Sequence, residues 1–185
     1  MTLEIELKFS LPDSGPVLEF LASQNSHPHI PVQQKDLYFN HPLRNFAETD
    51  EALRIRVIDD QSYITYKGPV LDKQTKTRRE IELPVGNPAD ESEGMSTILE
   101  LLDFRKVRSV EKTRTVYHFE WESFSMEICL DEVKGLGKFL EIETIAEEER
   151  REEAQNAILH LAGHLNLGQA ERRSYLRMLL EKENL

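Results

Sequence analysis

The sequence has a single cysteine, Cys129, so no disulfide can form within the chain. That scarcity matches a reducing compartment, and Cys129 reads as a small core residue of a strand. No apolar run is long enough to cross a bilayer. The first ten residues carry Glu4, Glu6 and Lys8 where a secretory leader needs an apolar stretch, so the expected location is the cytoplasm. Basic residues are outnumbered: 23 Lys and Arg against 34 Asp and Glu give a net charge of −11. A general nucleic-acid binder needs the opposite balance, so neither a nucleic acid nor a membrane is expected as partner. Any anion site must be local and built against the overall field. Internal repeats, low-complexity tracts and linkers are missing too. With 185 residues, 39% apolar and 31% charged, the chain reads as one domain, 1–185, with its own core.

What is present is alternation. In "EIELKF" the charged Glu4, Glu6 and Lys8 fall on one side of a strand, and Ile5, Leu7 and Phe9 on the other. "ALRIRVID" sets Leu53, Ile55 and Val57 against Arg54 and Arg56, and "SYITYKGP" returns after a turn at Asp59–Gln61 with Thr65 and Lys67 in phase. "KTRREIELPV" places Lys76, Arg78, Glu80 and Glu82 together. "VEKTRTVYHFEW" carries Lys112 and Arg114, "FSMEICLDEV" carries Glu127, Cys129 and Asp131, and "KGLGKFLEIET" carries Glu141 and Glu143. "KDLYF" reads as a short strand and "NHPLRNFAETDE" as a polar loop. Helical spacing marks Ser14–Gln24 and Met95–Phe104, the second behind a capping box of Asp90 and Glu93. A second capping box, Thr144 with Glu147, predicts a helix to about Leu167, and "ERRSYLRMLLE" a short C-terminal element. The fold class is α+β: about eight antiparallel strands with two or three flanking helices.

One wet sheet face explains any single strand of this kind. It explains the set poorly. Wet faces also carry Thr, Ser and Gln, whereas here charges stand in i, i+2 blocks on nearly every strand. If the apolar faces turn outward to helices, the charged faces turn inward, and a closed or nearly closed sheet encloses a charged interior. Such an interior needs a ligand that satisfies both signs. Carboxylates without a His or Cys ligand pattern are hard oxygen donors suited to Mg²⁺ or Mn²⁺. Rows of Arg and Lys suit phosphate oxygens. A metal-bound polyphosphate meets both needs. His160 and His164 stand i, i+4 but lack an H-E-x-x-H pattern and read as a surface or packing pair; His27, His29 and His41 read as solvated loop residues.

Six blocks in order resemble the CYTH superfamily of triphosphate tunnel metalloenzymes: E-x-E-x-K (Glu4 to Lys8), L-R-I-R (Leu53 to Arg56), T-Y-K-G-P (Thr65 to Pro69), R-x-E-x-E (Arg78 to Glu82), K-x-R (Lys112 to Arg114) and L-D-E-V-x-G-L-G-x-F-x-E-I-E (Leu130 to Glu143). The resemblance implies an eight-stranded antiparallel tunnel. It implies that Glu4, Glu6, Asp131, Glu141 and Glu143 bind Mg²⁺ or Mn²⁺, and that Glu80 or Glu82 helps hold the metal or an attacking water. Lys8, Arg54, Arg56, Lys67, Arg78, Lys112 and Arg114 would bind the triphosphate. T-Y-K-G-P, the L-D-E-V block and the closing S-Y-L-R-M-L-L are most similar to the class IV adenylate cyclase branch, which implies conversion of ATP to cyclic AMP and pyrophosphate. Hydrolysis of thiamine triphosphate or inorganic triphosphate is the alternative, and binding without turnover a third. Arg172, Arg173 and Tyr175 either close over a ligand at one tunnel mouth or belong to a surface tail packed by Leu176 and Leu179.

Overall fold

The computed structural model describes residues 2–71, 75–86 and 91–183. Along the chain lie β1 (Thr2–Ser10), α1 (Gly15–Ser23), β2 (Val32–Asn40), α2 (Phe46–Thr49), β3 (Ala52–Ile58), β4 (Gln61–Lys67), β5 (Lys76–Arg78), β6 (Glu80–Gly86), α3 (Glu91–Leu101), β7 (Arg105–Trp121), β8 (Phe124–Val133), β9 (Gly137–Glu147), α4 (Arg151–His164) and α5 (Tyr175–Glu183). The strands form one antiparallel sheet in the order β5-β1-β9-β8-β7-β2-β3-β4-β6. The outermost strands, β5 and β6, are separated in sequence by Arg79 alone. β5 pairs with β1 and β6 with β4, so one passage of chain ties both edges together and the sheet curls into a nearly closed barrel. The sequence predicts one strand through this passage. It is broken at Arg79, whose carbonyl accepts from the Gly68 amide at 2.9 Å instead of joining a ladder. The nine strands therefore follow the eight-stranded path with one strand divided.

The barrel is inverted relative to a barrel with an apolar interior. Ile5, Leu7 and Phe9 of β1, Met126 and Ile128 of β8, and Leu140 and Ile142 of β9 point outward, against Val17 and Leu21 of α1 and Ala154, Ala157, Ile158 and Leu161 of α4. On the opposite wall Phe39, Leu53 and Ile55 pack with Phe46 of α2 and Leu99 of α3. Burying these side chains, each contributing about 1.5–3 kcal/mol, drives the helices onto the outside. The alternate positions are left facing inward. Gln155 of α4 reaches the β5 crossing and donates to the Thr75 and Thr77 hydroxyls at 3.1 and 3.0 Å.

Some boundaries differ from the sequence reading. Thr144 opens no helix: it lies in β9 opposite Ile5, and its hydroxyl donates to the Ser125 carbonyl at 2.8 Å. The ladder carries the extended chain to Glu147, and α4 begins at Arg151 after one 3₁₀ turn. β2 and β7 extend beyond the predicted runs, because the whole of β2 pairs with the first part of β7, Arg105 to Arg114. The loop before β3 contains α2, capped by the Asn45 side chain. Asp90, half of the first predicted capping box, lies outside the described residues. No helix among the described residues is long and apolar enough to cross a membrane.

Candidate functional site

The barrel encloses a cavity of about 1230 Å³. Every sequence-predicted site residue lines it except Asp131: Glu4, Glu6, Lys8, Arg54, Arg56, Lys67, Arg78, Glu80, Glu82, Lys112, Arg114, Glu141 and Glu143. Strand alternation alone accounts for this convergence, since each residue stands at an inward position of its strand.

Three charge networks organise the interior. In the first, the Lys67 ammonium lies 2.8 Å from Glu4, 2.6 Å from Glu80 and 3.7 Å from Glu6. Lys76 and Arg78 approach Glu6 from β5 at 3.4 and 3.9 Å. In the second, Asp36 of β2 holds Arg56 in a two-pronged grip at 2.7 and 2.8 Å and also receives Arg54 at 3.3 Å. In the third, Asp131 accepts from Lys112 at 2.8 Å, from two nitrogens of Arg114 at 2.7 and 2.6 Å, and from the Tyr175 hydroxyl at 2.9 Å. Arg114 also contacts Glu141 and lies 3.6 Å from Glu143. Asp131 is thus wholly engaged with donors and fixes the direction of the Arg114 fork.

Sequence reasoning passed over Asp36, which does the same for Arg54 and Arg56. Its strand carries Gln34, Asp36 and Tyr38 inward, a row with one charge and no i, i+2 pair to draw notice.

The carboxylates divide into two kinds. Burial would raise Glu6, yet Lys76, Lys67 and Arg78 outweigh it and bring its pKa down to about 2. Glu80 is likewise about 2, burial being overcome mainly by Lys67. Glu141 is held well below the ordinary value because Arg114, Lys112 and Lys8 outweigh its burial. Glu4 goes the other way: burial, with repulsion from Glu6 and Glu80, exceeds the pull of Lys67 and raises it to about 8. Burial raises Glu143 well above its ordinary value, helped by the like charges of Glu141, Glu4 and Glu6. Carboxylate oxygens of Glu4, Glu6 and Glu143 lie within 4.8 Å of one another. Desolvated hard donors, two of which (Glu4 and Glu143) have raised pKa values, suit a divalent cation that offsets the charge of all three. These residues fit the Mg²⁺ or Mn²⁺ expected from the sequence.

The chain's C-terminal part also lines the cavity. Tyr175, the first residue of α5, is buried beside Phe139 and Tyr38, and Leu179 packs in the same cluster. The Lys8 ammonium lies 4.2 Å from the Tyr175 ring centre and donates to the Arg173 carbonyl. Burial, then repulsion from Lys76, lowers Lys8 to about 8. Arg172 and Arg173 also line the cavity, and Leu176 and Leu179 pack in the Tyr175 cluster. His160 and His164 do not converge. His160 meets Glu122 at 3.3 Å, while His164 packs edge-on to Phe20 and tilted against Trp121.

A charged barrel interior with acidic and basic rows, enclosed by outer helices, defines a tunnel protein. The profile of the CYTH domain matches residues 2–175, and the chain belongs to that family. CYTH enzymes are adenylate cyclase-like or triphosphatase proteins that act on organic triphosphates. A protein of Methanocaldococcus jannaschii named "Putative adenylate cyclase MJ0240" is 36% identical over 179 residues, 95% of this chain and 98% of its own length. The solved structure of the PH1819 protein from Pyrococcus horikoshii OT3 is 38% identical, with a TM-score of 0.82, covering 97% of this chain and 99% of that one. A Hippeastrum protein, described as a "putative adenylyl cyclase" with "a dominant triphophatase activity", shares the fold at 18% identity and a TM-score of 0.68, covering 98% of this chain and 96% of its own.

Proposed function

We propose that the chain, as one domain over 1–185, is a divalent-metal-dependent enzyme of class IV adenylate cyclase type, converting ATP to cyclic AMP and pyrophosphate. The observation that carries this reading is the carboxylate group of Glu4, Glu6 and Glu143, set in one cavity with paired cations that two buried aspartates aim. Glu4, Glu6 and Glu143, with Glu141 beside them, would hold Mg²⁺ or Mn²⁺. When bound, the ion neutralises phosphate charge and assists pyrophosphate departure. Arg54 and Arg56, oriented by Asp36, would take adjacent phosphate oxygens. Lys112 and Arg114, oriented by Asp131, would take others, with Lys8, Lys67 and Arg78 completing the cage. Donors fixed before the ligand arrives cost little reorganisation when charge moves onto the leaving group. The ribose 3′-oxygen attacks the α-phosphorus, the bond to the α,β-bridging oxygen breaks, and an acidic residue of the cavity takes the hydroxyl proton.

One feature favours a second reading, hydrolysis of thiamine triphosphate or inorganic triphosphate. Glu82 lines the cavity but is solvent-exposed and accepts from Thr65 at 2.7 Å, a position from which a carboxylate can orient water toward the γ-phosphorus. The two readings separate by product. Purified protein with Mg²⁺ or Mn²⁺ is incubated with ATP, thiamine triphosphate or inorganic triphosphate, and the products are resolved. Cyclic AMP with pyrophosphate is the expected result. Orthophosphate without cyclic AMP overturns the cyclase in favour of the hydrolase.

A further inference from the structure

One side chain of the cavity wall lacks the partner its chemistry calls for. Gln34 of β2 lines the cavity and is 6% exposed, yet its amide oxygen, Oε1, accepts no hydrogen bond. A buried acceptor left unpaired costs about 1–3 kcal/mol. Its cationic neighbours do not relieve it. Gln34 stands two residues before Asp36 on the same face and opposite Lys112 of β7, and Arg56 of β3 stands opposite Asp36. Arg56 donates instead to Asp36, and Lys112 to Asp131. An ionised triphosphate does not relieve it either, because its oxygens only accept. What the amide oxygen lacks is an uncharged donor, a hydroxyl or an amine, brought in beside the phosphates. The terminal torsion of a glutamine is soft, so the oxygen can turn to meet one in the cavity.

We propose that Gln34 is a substrate-specificity residue whose amide oxygen accepts a hydrogen bond from a ribose hydroxyl, so that the cavity selects a ribonucleoside triphosphate over inorganic triphosphate. The inference rests on the cyclase-type reading above and narrows its substrate class. That reading brings the ribose 3′-hydroxyl to the α-phosphorus, and therefore among the cations that hold the phosphates, where Gln34 stands. Inorganic triphosphate has no donor to offer there. The amino group of thiamine triphosphate lies on its pyrimidine ring, remote from the phosphates. Either ligand leaves the amide oxygen unpaired, and a site built to bond a hydroxyl rejects a ligand that lacks it. A carboxamide is too weak a base to take the hydroxyl proton, so the part of Gln34 is binding and orientation.

The test is a calorimetric titration, with Mn²⁺ present, of wild type and Gln34→Leu. The ligands are α,β-methylene ATP, its 2′-deoxy and 3′-deoxy forms, and the imido analogue of inorganic triphosphate. Leucine keeps most of the bulk and has no acceptor. Wild type is expected to bind the methylene nucleotide about tenfold more tightly than at least one of its deoxy forms, and Gln34→Leu to lose that preference. The imido analogue is expected to bind both proteins equally. Without ligand, Gln34→Leu should melt no lower than wild type, because it removes an unpaired polar group, whereas loss of an amide bonded within the protein would lower the melt. A lowered melt, or equal weakening of nucleotide and imido analogue, overturns the proposal. If Gln34→Leu does not fold, wild type decides alone: equal affinity for the methylene nucleotide and both deoxy forms overturns it. Wild type that binds the imido analogue and no nucleotide overturns the cyclase reading as well. A preference for the hydroxyl that Gln34→Leu retains overturns this proposal alone.

Discussion

Asp36 has both carboxylate oxygens committed to Arg54 and Arg56. Removing this buried acid strips Arg56 of its hydrogen-bonded carboxylate and leaves Arg54 only the more distant carboxylate of Glu80 at 3.9 Å, a change that costs about 3 kcal/mol or more. Asp36→Ala should therefore lower the melting temperature of the free protein and loosen triphosphate binding together. Thermal melting with and without an ATP analogue reads both, and an unchanged melt contradicts the role assigned to Asp36. The split between carboxylates makes a further prediction at this scale. Glu6 and Glu80 have pKa values near 2, below the ordinary 4.5, so their stabilisation is present above pH 4.5 and is lost as pH falls toward 2. Glu4, raised from 4.5 to about 8, has the opposite sign: the fold prefers its proton, so stability falls as pH rises from 4.5 to 8 and is level beyond. Metal-free Glu4→Gln should show a shallower decline in melting temperature over that interval than wild type. Parallel declines contradict the raised value.

At the scale of elements, the β5–β6 passage decides whether the barrel closes, and its hold is specific. Gln155 of α4 satisfies two threonine hydroxyls there while buried. Gln155→Leu leaves those hydroxyls short of a donor, at about 1–3 kcal/mol. Amide exchange in β5 and its β1 partner should quicken more than exchange in β8, and uniform quickening would show that the contact is merely part of general stability. Here the sequence was most legible. Alternation in β1, β3, β4, β8 and β9 gave the inward and outward rows, because side-chain direction in a strand is fixed by its period of two. Local signals failed where tertiary partners overrode them. Thr144 and Glu147 have the letters of a capping box, but β1 pairs with β9 to its last residue. The break at Arg79 carries no turn residue and comes from the need to meet two edges at once. Asp36 and Gln155 were illegible as functional supports because each acts across the fold on residues at least 18 positions away.

For the whole molecule, net charge of −11 surrounds an interior in which cations and anions are interleaved at hydrogen-bond distance. The outer helices supply the apolar burial that a charged interior cannot, which lets the interior be assigned to a ligand. In the free protein Lys67 lies against Glu4 and Glu80, and Asp131 against Lys112 and Arg114. On the function proposed above, ligand and ion would enter together to keep the balance: a cation alone adds charge beside Lys67, and a triphosphate alone adds charge beside Glu141. Binding of either is therefore expected to strengthen the other by the same factor. The most direct measurement is a calorimetric titration of a non-cleavable ATP analogue into the protein with and without Mn²⁺, repeated for Glu4→Gln and Arg56→Ala with circular dichroism to show that both are folded. Wild type should bind the analogue at least tenfold more tightly with Mn²⁺, Glu4→Gln should lose that gain, and Arg56→Ala should bind weakly under both conditions. Equal affinity in all three folded proteins, indifferent to Mn²⁺, would contradict a tunnel built for a metal-bound triphosphate.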